Sequence, residues 1–137
     1  MSVSASIILK STGKIAPGTD GYGESIVDGL EVLDRLAKKL KVAKFSSFLY
    51  DELEDDYYDI DHPRKPAKGP EWHDCADGVG TIEAVLNALK GKGSDKWVAL
   101  LEDEGVDEDD VQSDLKMCLK ALQKAAKKDD RFYMDIG

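Results

Sequence analysis

Residues 131–136 read Arg-Phe-Tyr-Met-Asp-Ile and follow directly on Lys127-Lys128-Asp129-Asp130. Phe132, Met134 and Ile136 fall on one parity, Tyr133 and Asp135 on the other. A period of two with one apolar face predicts a half-buried strand. The residues just before have a different period. Val111, Leu115, Cys118, Leu119, Leu122, Ala125 and Ala126 recur at spacings of three and four, which predicts a helix over 108–128. A strand after so clear a helix argues against an all-helical bundle. The other end of the chain matches it. Val3, Ala5, Ile7 and Leu9 alternate with Ser2, Ser4, Ser6, Ile8 and Lys10, which predicts a strand over 2–10. The expected fold is therefore α+β, with one small sheet that includes both terminal strands, paired directly or through others.

Between the termini the helical period returns twice more. Ile26, Val27, Leu30, Leu33, Leu36, Ala37 and Leu40 predict a helix over 25–41, weakened at Gly29. Val79, Ile82, Val85, Leu86 and Leu89 predict another over 78–90, with Gly91 after it. Trp97, Leu100 and Leu101 suit a short helix over 95–103, so three to four amphipathic helices should pack on the sheet. Residues 45–53 suit a short helix or a short strand. Only 45–50 and 71–74 could add strands, which keeps the sheet small. Residues 11–23, with four glycines and Pro17, read as a loop. Residues 54–70 contain Pro63, Pro66 and Pro70 and have no period. A stretch of this kind inside a small domain is usually functional or disordered.

The chain has 137 residues, 42% of them apolar, enough for one core, and is expected to form a single domain over 1–137. It carries 28 acids and 19 bases, for a net charge of −9. That balance argues against nucleic-acid binding, which requires a basic face. No run of about 18 apolar residues suggests a membrane span. The opening ten residues lack a basic-then-apolar leader pattern, and two cysteines make no disulfide framework. A cytoplasmic protein with reduced thiols is expected.

Most of the charge has a structural explanation. Glu24, Asp28 and Glu31 open the first helix, and Arg35, Lys38, Lys39 and Lys41 close it. Asp107, Glu108, Asp109 and Asp110 open the last one, and Lys124, Lys127 and Lys128 close it. Such placement complements the helix dipole at about 0.3–1 kcal/mol per charge. Lys116, Lys120 and Lys124 form a solvated stripe opposite the apolar face.

One run does not fit. Asp51 to Asp61 holds seven acids and no base, with Tyr57, Tyr58 and Ile60 among them. Concentrating like charge costs stability, and tyrosine offers apolar area with a polar tip at interfaces. Asp55, Asp56, Tyr57, Tyr58, Asp59 and Asp61 are the candidate binding residues, for a basic protein partner. Balance by Arg64, Lys65 and Lys68 just downstream is the plainer alternative.

Other chemistry is thinner. Asp59, Asp61 and His62 do not make an EF-hand loop, because Pro63 follows. His62, His73, Cys75 and Cys118 lack the paired spacing of a zinc site. Gly13-Lys14 fails the P-loop pattern, with Ile8 and Ile15 where Gly and Ser/Thr belong. No metal and no cofactor is expected. The alternative to a binding module is a small enzyme built on Cys75 and His73, which would share one face of a strand and could generate a thiolate. Against it, cysteine is commonly a small buried apolar residue, and Asp74 or Asp77 suits a helix cap. Cys118 falls on the apolar face of the last helix. Trp72 and Trp97 are expected to anchor the core.

The pattern Leu33-Asp34-x-Leu36-Ala37, Ser46-x-Phe48, Glu71-Trp72-His73-Asp74 and Gly78-x-x-Thr81-x-x-Ala84-x-Leu86 resembles small bacterial proteins of uncharacterised function. In these a Trp-aromatic-Asp segment precedes a Gly-x-x-Thr helix. The resemblance spans residues 33–90 and rests on core and cap positions. It implies candidacy for an immunity or antitoxin role, and it implies no activity and no catalytic residues. The oligomeric state is open: Tyr57, Tyr58 or Tyr133, or an edge strand at either terminus, could mediate pairing.

Overall fold

The computed structural model describes residues 5–17, 19, 24–50, 71–91 and 93–136. Along them run β1 (Ala5–Leu9), α1 (Glu24–Asp28), α2 (Leu30–Leu40), a 3-10 turn (Phe45–Phe48), β2 (Leu49–Tyr50), β3 (His73–Asp74), α3 (Cys75–Lys90), α4 (Asp95–Asp103), α5 (Glu108–Ala126) and β4 (Arg131–Ile136). The class is α+β, and both terminal strands lie in one mixed sheet. Among the described residues no helix is long and apolar enough to cross a membrane.

β4 is the central strand. β1 pairs antiparallel along one edge, from Leu9 opposite Phe132 to Ala5 opposite Ile136. The other edge is shared. β3 pairs antiparallel at its start, with His73 opposite Phe132, and β2 pairs parallel further on, with Leu49 opposite Met134. The two segments that could add strands both do so. Of the stretch 45–53, the described residues 45–50 take both candidate structures in turn, a 3-10 turn and then two strand residues. The C-terminal strand is no edge, so edge-to-edge pairing there is closed. On its outer side β1 is bridged by the returning chain, with Ile8 opposite Ile15.

One sheet face carries the core. Ile7, Phe132 and Met134 are fully buried, in one apolar cluster with the inner faces of the helices. α5 supplies Val111, Leu115, Cys118, Leu122 and Ala125, spaced four, three, four and three. The valine and the two leucines among them contribute about 1.5–3 kcal/mol each when fully buried. The Asp107 carboxylate caps the helix, accepting the Asp109 N–H at 2.8 Å. Val106 and Val111 flank that cap as buried residues, the positions of a hydrophobic staple.

The predicted helix over 25–41 is broken at Gly29 into α1 and α2. A Cβ at Gly29 would lie 2.9 Å from Leu101 Cδ2, so the glycine admits α4 against this corner. α3 begins at Cys75, earlier than the apolar period shows. Asp74 holds its N-cap position without a side-chain cap bond. Its carboxylate instead meets Arg131 Nε at 3.3 Å, across the strand pair Asp74–Arg131.

Three helices end in the same way. Lys41, Gly105 and Asp129 have φ of 60°, 75° and 53°. In each case the next residue's N–H reaches back five residues: Val42 to Ala37 O, Val106 to Leu101 O, and Asp130 to Ala125 O. This is the Schellman closure, which favours glycine. Lysine lacks the local side-chain bonding that eases an aspartate into this region. Lys41→Gly should therefore stabilise the protein by a few tenths to about 1 kcal/mol, after allowance for the more flexible unfolded chain. The check is an upward shift of the urea midpoint; a downward shift contradicts the assignment.

Candidate functional site

The sheet face turned away from the core presents the side chains of opposite parity. Tyr133 stands between two half-buried aromatics. Its ring centroid lies 5.6 Å from that of Tyr50 and 5.0 Å from that of Trp72, both in edge-to-face geometry. Tyr50 arrives on β2 and Trp72 immediately precedes β3, the two strands that share one edge of β4. Pairing on that edge therefore brings together residues far apart in sequence. Edge-to-face contacts of this kind contribute about 0.5–1.5 kcal/mol beyond their burial.

Trp72 was expected in the core and is not there. It packs half-buried on Tyr133, because the residue before β3 meets the outward-facing side of β4. Trp97 is the buried anchor, 7% exposed, with the ammonium groups of Lys39 and Lys96 at 5.6 and 5.4 Å from its ring.

The candidate residues Asp55, Asp56, Tyr57, Tyr58, Asp59 and Asp61 lie outside the described residues, as does His62. In sequence, the segment that holds them runs between Tyr50 and Glu71.

His73 and Cys75 do not form the pair that strand parity suggested, because the strand ends at Asp74 and Cys75 opens α3. His73 lies against aromatic rings instead, 5.2 Å from Phe48 and 6.3 Å from Phe132. Cys75 is fully buried. Desolvation, joined by the nearby charges of Asp130 and Asp74, pushes its thiol up to about 12. Such a group stays protonated at neutral pH, whereas the nucleophile is the thiolate. Cys118 is buried on α5, and its thiol is likewise pushed up to about 12, first by burial and then by Asp114. Among the described residues, no three His, Cys, Asp or Glu side chains gather as a metal-holding group.

Two carboxylates escaped notice in the sequence. Asp130 accepts from the Ser11 N–H at 3.1 Å, from the Ser11 hydroxyl and from the Arg131 N–H at 2.8 Å. Burial pulls its pKa upward, yet these hydrogen bonds and Lys128 hold it below the usual carboxylate range. It ties the loop after β1 to the entry of β4. Asp114, on α5, accepts the Ser25 N–H at 3.1 Å and so secures α1; burial pushes its pKa up. Both partners are distant in sequence, so no local motif marks either residue.

The motif residues of the resemblance also have structural work. A Cβ at Gly78 would sit 2.7 Å from Phe132 Cζ and 2.8 Å from Leu122 Cδ1. The Thr81 hydroxyl donates to the Ala43 carbonyl at 2.9 Å, joining α3 to the loop after α2. No family model, curated protein or solved structure matches the chain.

Proposed function

We propose that this protein is a non-enzymatic binding module that docks on a basic protein through its acidic and aromatic segment 51–61. The closest functional class is an immunity or antitoxin protein that neutralises a basic enzyme, acting in the cytoplasm with its two cysteines as free thiols. The observation that carries the reading is the ring cluster of Tyr50, Trp72 and Tyr133. It places aromatic area at the two residues that bracket the acidic segment in sequence. Aromatic residues dominate the energetics of protein interfaces, while clustered charge sets encounter rate and partner choice. The buried, protonated Cys75 favours this reading over a cysteine-dependent enzyme.

The test is affinity capture from the source cell at low and at high salt, beside the triple variant Asp55→Asn/Asp56→Asn/Asp59→Asn. The expected result is one basic protein retained by the natural chain at low salt, released at high salt and lost by the variant. A partner held equally by both chains at both salts overturns the assignment to this segment.

A further inference from the structure

A concavity of about 570 Å³ opens between the chain after β1 and α5. Leu9, Ala16, Met117 and Ala121 supply its apolar lining, all of them buried or half-buried. Lys120, Lys124 and Lys128 also line it and are exposed. The size is that of an ordinary small-molecule site, with an apolar body and a few convergent polar groups.

The charge at this groove runs against that of the chain. Among the described residues, three lysines line it and one acid does, Asp130, whose carboxylate is already occupied by Ser11. The protein as a whole carries −9. The helix dipole accounts for lysines in the last turn of α5, since its influence fades within one turn. Lys120 lies further from the helix end at Ala126 than that. The four-residue spacing aligns Lys120 and Lys124 on one row, beside the row of Met117 and Ala121. An apolar lining beside a row of ammonium groups is complementary to a molecule with an apolar tail and one anionic end.

We propose that this groove binds a small amphipathic carboxylate, its tail seated on Leu9, Ala16, Met117 and Ala121 and its head group beside Lys120 and Lys124. The proposal does not rest on the function proposed for the acidic segment. Burial of the tail supplies affinity in proportion to the apolar area covered. The lysines distinguish an anionic head from a neutral one through charge-assisted hydrogen bonds.

The probes are decanoate and its neutral counterpart decanol, each kept below its aggregation limit. Binding is read from the Met117 methyl resonance in carbon-13-labelled protein, with the core methyl of Met134 as internal control. Decanoate should shift Met117 saturably, and decanol should bind roughly tenfold more weakly. Lys120→Gln/Lys124→Gln should erase that preference, whereas Lys116→Gln, on the same helix but outside the groove, should keep it. Ala121→Phe should abolish binding of both probes, with an unchanged circular dichroism melt confirming the fold. The absence of a saturable Met117 shift overturns the proposal. So does equal affinity for the two probes, or a lysine variant that retains the natural preference.

Discussion

Phe132→Ala should lower the stability of the protein by about 3–5 kcal/mol. Phe132 is fully buried in the central strand and pairs with Leu9 on one side and His73 on the other. Its ring lies 5.1 Å from that of Phe48 and reaches the α3 backbone at Gly78. Truncation therefore opens a cavity where sheet, 3-10 turn and two helices meet, and the surrounding structure can close it only in part. A domain of this kind has about 5–15 kcal/mol in total, so the loss is a large share. It should appear as a lower urea midpoint with an unchanged slope. A midpoint equal to that of the natural protein contradicts the placement of β4 at the centre of the core.

The second large effect comes from the partner of that ring. Gly78 and Gly80 both lie within α3. Replacing a helix-interior glycine by alanine gains up to about 1 kcal/mol through propensity. At Gly80 nothing lies within 4 Å of a new Cβ, so Gly80→Ala should realise that gain. At Gly78 the same methyl would meet Phe132 and Leu122 at under 3 Å, and both are fully buried. Overpacking costs about 1–3 kcal/mol, which outweighs the propensity gain. The urea midpoints of the two variants should thus move in opposite directions. The pair Gly78→Ala/Phe132→Leu should be more stable than the sum of its single changes implies, because the smaller side chain makes room for the methyl. If Gly78→Ala stabilises as Gly80→Ala does, the close approach of α3 to β4 is wrong.

These residues also show what was legible in the sequence. Alternation gave both terminal strands, and the helical period gave every helix of nine residues or more, because each of those elements turns one face to the core. The weak point at Gly29 was legible, but the reason for a glycine there was not: the apolar period runs straight through it, and the side chain that leaves no room for a Cβ is Leu101, far away in sequence. The start of α3 was hidden, since the first buried positions of its inner face are Cys75, Gly78 and Thr81, which do not read as an apolar stripe. Trp72 was misplaced because an indole suits either face of a small sheet, and only the pairing of β3 with β4 decides between them.

The candidate site divides in the same way. The acidic and aromatic run at 51–61 is plain as composition, which needs no tertiary knowledge. The ring cluster was invisible, because Tyr50, Trp72 and Tyr133 come together only through strands that share an edge. The pairing of His73 with Cys75 assumed a strand that continues past Asp74, and the helix begins there instead.

The proposed function is tested most directly by the association rate with the captured basic partner, measured by stopped flow over a range of salt. The rate should fall steeply as salt rises and drop about tenfold or more in Asp55→Asn/Asp56→Asn/Asp59→Asn, with the melting temperature of the variant preserved. A rate indifferent both to salt and to those three substitutions contradicts docking through the acidic segment.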